Sequence, residues 1–334
     1  MKKASYWEVR PCKTILCLLC PHNCKIKPGE SGICRGRKNV AGELISLNYG
    51  EITSLAVDPI EKKPLYHFYP GSKILSVGTK GCNLACGFCQ NWRISQSDPE
   101  TYSITPEALA EATADYSKKG ESFGISYTYS EPMVWFEFVL ETAKFIHEKG
   151  LKNVLVTNGY INESPFRELS PYIDAINIDI KAFSSSFYEK VCLGGLEPVL
   201  RTACIAHEAG CHIEVTNLII PGLNDSPKEI EELVDWVAVN LGDTTPLHFS
   251  RYYPAYKFED PPTPIDTLHK AVNIGRSRLK YVYLGNTPGR EGVDTVCYQC
   301  GKTVIKRGPV GVTQFLTHDN KCKYCGATIH IIQT

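Results

Sequence analysis

The chain has 334 residues, of which 43% are hydrophobic and 22% are charged, a balance that excludes a fully disordered protein. Its 36 basic residues equal its 36 acidic residues, so the net charge gives no reason to expect binding to nucleic acid or to an anionic membrane. The apolar run at residues 15–20 is far shorter than the roughly 20 residues needed to span a bilayer. Because no secretion signal is recognisable, we expect a soluble, cytoplasmic protein with no membrane partner.

Residues 1–72 are rich in cysteine, glycine and lysine, and we expect them to form a small accessory segment. The sequence CLLCPHNCKIKPGESGIC in this segment carries His22 as a spare ligand beside Cys17, Cys20, Cys24 and Cys34. Closely spaced thiols in a chain without a secretion signal are more often metal ligands than disulfides. Four thiolates suit zinc and an iron–sulfur cluster equally. The spacing therefore predicts a metal site here without naming the metal.

Residues 73–289 alternate strand-like apolar runs with helix-like amphipathic runs, which is typical of parallel strands joined by crossover helices. Strands are expected at 74–79, 124–130, 153–158, 175–181, 212–220, 247–253 and 281–285, and helices at 105–118, 133–149, 226–240 and 264–279. This pattern predicts an α/β fold, either a complete or partial barrel of the triosephosphate-isomerase type or an open doubly wound sheet. In each of these folds the functional side chains lie at the carboxyl ends of the strands.

A second group of thiols follows the first of these strands directly. Cys82, Cys86 and Cys89 form a CxxxCxxC pattern within CNLACGFCQNW. A four-iron cluster would find only three protein ligands on this loop, which would leave one iron open to a substrate or cofactor. The alternative is a structural zinc or cluster site that takes a fourth ligand from elsewhere. The candidates for that ligand are Cys192, Cys204 and Cys211.

At this triplet the sequence resembles the radical S-adenosylmethionine (SAM) superfamily, whose signature CxxxCxΦC has an aromatic residue where Phe88 stands. The resemblance implies a partial (β/α)6 barrel in which the amino and carboxylate groups of SAM chelate the open iron of a [4Fe-4S] cluster. It also implies that an electron from a reductant such as flavodoxin or ferredoxin splits SAM. The resulting 5′-deoxyadenosyl radical then abstracts a hydrogen atom from a substrate that the sequence does not identify.

Motifs after the later strands resemble the cofactor-binding motifs of this superfamily. YTYSEP at 127–132 stands where the superfamily carries a Gly-Gly-Glu motif, while VTNG at 156–159 and IDIK at 178–181 resemble the DTNG and DxK motifs of glycyl-radical enzyme activases. The resemblance implies SAM contacts by Phe88, Ser130, Glu131, Thr157, Asn158, Asp179, Lys181 and Asn217. On the residues alone, Glu131 suits the start of the following helix equally well, and Asp179 and Lys181 suit an internal ion pair.

Residues 290–334 form the second accessory segment. Two CxxCG sequences place Cys297, Cys300, Cys322 and Cys325 in the pattern of a zinc ribbon, where four thiolates surround one structural zinc ion. In so short a segment, the bound metal is expected to supply much of the free energy of folding.

Across nearly the whole chain, the motifs CxLCPHxC, PLYHFYPG, CNLACGFCQNW, YTYSEP, VTNGYI, NIDIKAF, TNLIIPGLND and HFSRYYPAYK resemble the AmmeMemoRadiSam-system radical enzyme. That resemblance implies protein partners of the AMMECR and Memo types. The first alternative is an activase of the pyruvate formate-lyase activating type, whose partner is a glycyl-radical enzyme. The second is a non-catalytic, metal-stapled scaffold that binds protein or RNA.

Overall fold

The computed structural model describes residues 2–309 and 311–333. Its strands are β1 (Lys2–Lys3), β2 (Trp7–Val9), β3 (Ile15–Cys17), β4 (Lys25–Ile26), β5 (Arg37–Val40), β6 (Glu43–Ser46), β7 (Glu51–Ile52), β8 (Ser54–Pro59), β9 (Lys73–Gly78), β10 (Tyr102–Ser103), β11 (Gly124–Tyr127), β12 (Lys152–Thr157), β13 (Ala175–Asp179), β14 (His212–Ile219), β15 (Leu247–Arg251), β16 (Val282–Gly285), β17 (Thr295–Val296), β18 (Thr303–Arg307) and β19 (Val312–Gln314). Its α-helices are α1 (Trp92–Ser95), α2 (Pro106–Lys118), α3 (Phe136–Glu148), α4 (Glu163–Leu169), α5 (Ser185–Phe187), α6 (Leu196–Glu208), α7 (Pro227–Asn240) and α8 (Ile265–Arg276). None of these described helices is long and apolar enough to cross a membrane.

Within the described residues, the largest sheet has eight strands in the order β16-β15-β14-β13-β12-β11-β9-β8. The strands from β9 to β16 in this sheet are parallel, and β8 pairs with β9 in the antiparallel direction. The predicted mixed α/β fold with a parallel sheet is therefore confirmed. Strand order follows chain order without the reversal that a doubly wound sheet has at its switch point. This order agrees with a partial barrel.

Helices α2, α3, α4, α6, α7 and α8 connect successive parallel strands. The sequence patterns predicted four of them but did not indicate α4 or α6. Helices α2 and α7 begin with a capping side chain, since the hydroxyls of Thr105 and Ser226 accept hydrogen bonds from backbone N–H groups. Neither Asn162 before α4 nor Gly195 before α6 makes such a bond. Gly195 has no side chain that could cap α6, whereas Asn162 is a residue type common at this position but donates its side-chain amide to Leu18 O at 2.7 Å.

The N-terminal segment is not separate from the main sheet. Its strands form two small sheets, β1-β6-β5 and β2-β3-β4, but β8 pairs along the whole of β9. Beyond β8, the buried side chains of Ile60, Leu65 and Phe68 pack against Ile74 and Val154 of the main sheet. Residues 54–70 therefore help to build the barrel.

A buried polar network lies inside the barrel. Glu214 on β14 is fully buried and accepts hydrogen bonds from the backbone N–H of His67 at 2.6 Å, from His212 Nε2 at 3.0 Å and from His248 Nε2 at 2.6 Å. Burial alone would raise the pKa of Glu214, but the hydrogen bonds from the two imidazoles hold it well below its usual range. The carboxylate is therefore charged in the folded chain and ties β14 to β15 and to the segment that carries His67.

The same network attaches the C-terminal segment to the barrel. His67 Nδ1 donates to the backbone oxygen of His330 at 2.6 Å, and the Arg307 guanidinium donates to the backbone oxygen of Tyr66 at 2.6 Å. His67 Nε2 accepts from the hydroxyl of Tyr283 at 2.5 Å. Burial lowers the pKa of His67 to about 3, which keeps its imidazole neutral. Residues 66–67 are thus joined to Arg307 and His330 of the C-terminal segment through this network.

We expect Glu214→Gln to destabilise the fold by about 3 kcal/mol at pH 7, because an amide cannot accept all three hydrogen bonds. The folded pKa of Glu214 lies below the unfolded value of roughly 4.3, so this stabilisation is present above that pH and is lost as the pH falls through the folded value. Urea unfolding of both proteins at pH 7 and below pH 4 measures the difference, which should shrink in acid. Glu163→Gln on the surface is the control and should change little. A difference that is constant with pH would contradict the prediction.

Candidate functional site

A cavity of about 480 Å³ lies at the carboxyl ends of the parallel strands. It is lined by Asp58, Lys62, Lys63, Cys82, Leu84, Cys86, Phe88, Cys89, Gln90, Asn91, Ser95, Gln96, Thr128, Tyr129, Ser130, Glu131, Val156, Thr157, Asn158, Asp179, Lys181, Thr216, Leu218, Ser250 and Asn286. This volume lies within the range of small-molecule sites. The three thiols of the central triplet and all but one of the expected SAM contacts share this one cavity.

The cysteine triplet is held by the loop after β9. The Cys82 sulfur accepts a hydrogen bond from the backbone N–H of Leu84 at 3.3 Å, and the Cys89 sulfur contacts the Ser95 hydroxyl at 3.3 Å. Burial and the nearby Glu131 carboxylate raise the pKa of Cys82 well above its usual range. A bound metal cation reverses this effect and stabilises the thiolate.

Three thiols on one loop suit a four-iron cluster that keeps one open iron. Among the described residues, only the C-terminal cysteines bring three or more ligand atoms within 4.8 Å of one another. Cys82, Cys86 and Cys89 do not form such a group, so at least two of their sulfurs lie more than 4.8 Å apart. The chemistry of this donor set therefore fits a [4Fe-4S] cluster.

The three candidates for a fourth protein ligand occupy different places. Cys192 is fully buried, its backbone oxygen accepts from Ala85 N at 2.9 Å, and its thiol contributes to the raised pKa of Cys86. Cys211 donates to the backbone oxygen of Ile173 at 3.2 Å, and Cys204 lies on α6. Of these three, Cys192 is the one beside the triplet.

Glu131 is buried between the loop after β11 and the end of β12. One carboxylate oxygen accepts from Met133 N at 2.9 Å and from the Thr157 hydroxyl at 2.6 Å, and the other accepts from Asn158 N at 2.8 Å. Burial raises the pKa of Glu131 to about 7, although these hydrogen bonds oppose the rise. Glu131 thus caps the short helix that begins at Pro132 and also faces the cavity. The sequence suggested two roles for Glu131, a cap for the following helix and a contact to SAM. These roles are compatible.

Asn158 connects this carboxylate to the cysteine loop. Its side-chain nitrogen donates to the Asn83 side-chain oxygen at 3.0 Å and lies 3.5 Å from the Cys82 sulfur. The Ser130 hydroxyl donates to the backbone oxygen of Thr79 at 2.6 Å. The loops after β9, β11 and β12 are therefore held together directly above the sheet.

Asp179 and Lys181 form an ion pair of 2.8 Å, and both line the cavity. Burial disfavours the charged ammonium, but the Asp179 carboxylate raises the pKa of Lys181 above its usual range. The internal pair anticipated from the sequence is present, and it leaves further N–H donors of Lys181 for a ligand.

Asn217 is placed differently from the other expected contacts. Its side-chain nitrogen donates to the backbone oxygen of Ile180 at 2.8 Å, and it is not among the described residues that line the cavity. Thr216 and Leu218 on the same strand do line it, because successive side chains of a strand point to opposite faces. The cavity side of β14 therefore belongs to residues that the motif comparison did not select.

Phe88 lines the cavity, and its ring centroid lies 5.9 Å from that of Phe258.

A further polar group in the cavity was missed by the sequence analysis. Asp58 accepts from Lys63 Nζ at 2.8 Å and from the Tyr129 hydroxyl at 2.7 Å. Lys63 is only 2% exposed and lies 4.6 Å from the centroid of the Tyr129 ring. No sequence signal separated Lys63 from an exposed lysine, because its burial depends on how residues 54–70 pack into the barrel.

Comparison with known proteins identifies the family of the chain. A family model described as "Radical SAM superfamily" matches residues 76–237. An uncharacterized protein of Methanocaldococcus jannaschii is 44% identical over 339 residues, which cover 99% of this chain and 100% of that protein. The 4-hydroxyphenylacetate decarboxylase activating enzyme of Clostridium scatologenes is 23% identical over 217 residues, 59% of this chain and 64% of that enzyme. The crystal structure of Streptococcus suis SuiB bound to S-adenosylmethionine has a TM-score of 0.51 at 16% identity, over 66% of this chain and 49% of that chain.

The chain belongs to the radical SAM superfamily and is an enzyme. Membership of the superfamily, which the CxxxCxΦC signature predicted, is confirmed. The family implies a [4Fe-4S] cluster and SAM. The alternative interpretation of the sequence, a non-catalytic scaffold, is therefore wrong.

Proposed function

We propose that Cys82, Cys86 and Cys89 hold a [4Fe-4S] cluster and that SAM binds beside it in the 480 Å³ cavity. When bound, the cluster and SAM supply a 5′-deoxyadenosyl radical by one-electron reduction of SAM. This radical takes a hydrogen atom from the substrate. The observation that supports this proposal is that three thiols and all but one of the side chains expected to bind SAM line one cavity. A flavodoxin or ferredoxin is the proposed reductant.

The chain's own residues would bind and orient the cofactor. A carboxylate offers about four acceptor positions, and Glu131 uses three of them internally. One remains for the amino group of SAM. Lys181 has N–H donors beyond its bond to Asp179 for the SAM carboxylate. The buried side chains around them exclude water, which strengthens these interactions.

The test is anaerobic incubation of the cluster-loaded enzyme with dithionite and SAM, followed by measurement of 5′-deoxyadenosine. We expect this product to form. Its absence from a protein with a complete cluster would contradict the proposal.

We expect Glu131→Gln to weaken SAM binding by about 10- to 100-fold, because a charge-assisted hydrogen bond is lost. Equilibrium binding to the cluster-loaded protein measures the effect. Glu229→Gln is the matched control, since Glu229 is half-buried, accepts from Phe183 N at 2.9 Å and is not among the described lining residues. Equal affinities of the two variants would remove Glu131 from the proposed contacts.

Two candidates exist for the substrate. The motifs across nearly the whole chain support the AmmeMemoRadiSam-system enzyme, with partners of the AMMECR and Memo types. The similarity to an activating enzyme over 59% of the chain supports a glycyl-radical activase as the second candidate. A glycyl electron-spin signal raised in a large partner enzyme would favour the activase, and a modified substrate bound to AMMECR- or Memo-type proteins would favour the first. Both candidates are expected in the cytoplasm, where thiols stay reduced.

The C-terminal cysteines support structural zinc. The Cys297 and Cys325 sulfurs lie 3.6 Å apart, and the Cys300 and Cys322 sulfurs lie 3.7 Å apart. A regular tetrahedron with Zn–S distances of about 2.3 Å has edges of about 3.8 Å. We therefore propose that residues 290–334 form a zinc ribbon, as a module beside the core at 73–289 and the segment at 1–72.

A further inference from the structure

The cavity contains a second group of charged residues, which the proposed binding of SAM does not use. Asp58 lies on β8, and the chain that follows this strand carries Lys62 and Lys63. The two lysine nitrogens lie 3.3 and 2.8 Å from the Asp58 carboxylate, and all three residues line the cavity. Two ammonium groups therefore share one carboxylate, and this end of the cavity carries an excess positive charge.

Lys63 is the buried member of the two lysines. It is only 2% exposed, whereas 67% of the Lys62 side chain is exposed. Among the described residues, Asp58 is the one hydrogen-bond acceptor for Lys63 Nζ, although an ammonium group has three N–H donors. Burial of such a charge is costly unless it is balanced and its donors are satisfied. Lys63 therefore has donors left for a further acceptor.

Tyr129 joins this group to the proposed SAM site. Its hydroxyl donates to Asp58 at 2.7 Å, and its ring centroid lies 4.6 Å from Lys63 Nζ. The backbone of Tyr129 has a φ of 72°, which is rare for a bulky residue. A Cβ on Gly78 would lie 2.9 Å from the Tyr129 ring, so the glycine leaves room for it. Because Glu131 is two residues further along the chain, the two groups are parts of one continuous cavity wall.

Two buried hydroxyls lie on the sheet face that Asp58 shares. Ser76 on β9 and Ser126 on β11 are paired in register, are 0% exposed and have no hydrogen-bond partner among the described residues. Asp58 is paired with Ile74, and the side chain of Ser76, two residues along β9, points to the same face as that of Ile74. A buried hydroxyl without a partner costs free energy. This part of the barrel therefore suits a polar ligand.

The charged residues that line the cavity form two groups of opposite excess charge. Glu131, Asp179 and Lys181 provide two carboxyl groups and one ammonium, whereas Asp58 and the two lysines provide one carboxylate and two ammonium groups. SAM carries a sulfonium and an ammonium against one carboxylate, which complements the first group. A molecule with an anionic group complements the second.

We propose that Lys63, assisted by Lys62, binds an anionic group of the substrate, a carboxylate or a phosphate, and so holds the substrate beside SAM. This inference rests on the function proposed above and names the chemical class of its substrate. Asp58 orients Lys63 but also competes with the substrate for its N–H donors. Lys63 is therefore a specificity-determining residue.

The site is tested in the cluster-loaded protein with saturating SAM and no reductant, so that SAM fills its own site and stays intact. The probes are isotope-labelled acetate and inorganic phosphate, whose NMR line widths give dissociation constants. We expect Lys63→Gln to weaken binding of the tighter probe by about tenfold or more, because a hydrogen bond from a charged donor is lost. The identity of the tighter probe distinguishes a carboxylate from a phosphate.

Lys152→Gln is the matched control. Lys152 also pairs with a carboxylate, that of Asp174 at 2.8 Å, but it is not among the described lining residues. The control should bind both probes as the parent does. The proposal would be overturned by equal affinities of the parent and Lys63→Gln, by an equal loss in the control, or by a parent that binds neither probe.

Asp58→Asn tests the site in the opposite direction. Because this change removes the competing carboxylate, we expect the tighter probe to bind about fivefold or more tightly. The double variant Lys63→Gln/Asp58→Asn leaves no buried charge unpaired, and it should lose this gain. An unchanged affinity in Asp58→Asn would show that the ion pair is only structural and would overturn the proposal, even if Lys63→Gln failed to fold.

The anion site and the proposed function are tested by separate measurements. A parent that binds acetate or phosphate but forms no 5′-deoxyadenosine with dithionite would contradict the proposed function and support the anion site. A parent that forms 5′-deoxyadenosine but binds neither probe would overturn the anion site alone.

Discussion

Cys86→Ala is expected to reduce 5′-deoxyadenosine formation by more than about 100-fold, because a cluster with two remaining loop thiols lacks a ligand. The barrel should stay folded, since Cys86 is one small side chain in a core that the strands and helices mostly form. Product analysis measures the activity, and circular dichroism measures the fold. A globally unfolded variant would show that the triplet is structural.

Cys192→Ala is the matched control for Cys86→Ala. Both thiols are buried, and the Cys192 thiol raises the pKa of Cys86, so each substitution removes one sulfur from the same region. The Ala85 N–H donates to the backbone oxygen of Cys192 at 2.9 Å, a bond that the substitution keeps. We expect the control to retain its cluster and its activity. Loss of the cluster in this variant would identify Cys192 as a fourth ligand and remove the open iron.

Cys300→Ser is expected to release one zinc ion per chain and to unfold residues 297–333, because structural zinc supplies about 10 kcal/mol or more to small modules. The effect should extend to the barrel, since Arg307 and His330 bind the backbone of Tyr66 and the side chain of His67. Zinc content and limited proteolysis of this segment measure the result. Cys204→Ser on α6 is the control and should keep its zinc. Full zinc content in Cys300→Ser would exclude the proposed ribbon.

The positions of the strands could be predicted from the sequence, but their ends could not. β11 ends at Tyr127 and β13 at Asp179, so Glu131 and Lys181 lie in loops beyond the strands. In both strands the alternation of apolar and polar residues continues past the last hydrogen bond to the neighbouring strand. The sequence pattern alone therefore does not mark where each strand ends. Because the loops still face the carboxyl edge of the sheet, both residues line the cavity.

The amino-acid sequence by itself determined the superfamily signature, the three thiol sets and the alternation of strands and helices, since these depend on spacing along the chain. Only the tertiary structure decided that Thr216 faces the cavity, that Lys63 and Asp58 belong to it, and that His22 touches the loop of Cys82. These contacts join segments far apart in sequence. The placement of Lys63, Asp58 and His22 depends on how the N-terminal segment packs against the barrel, which no local periodicity encodes.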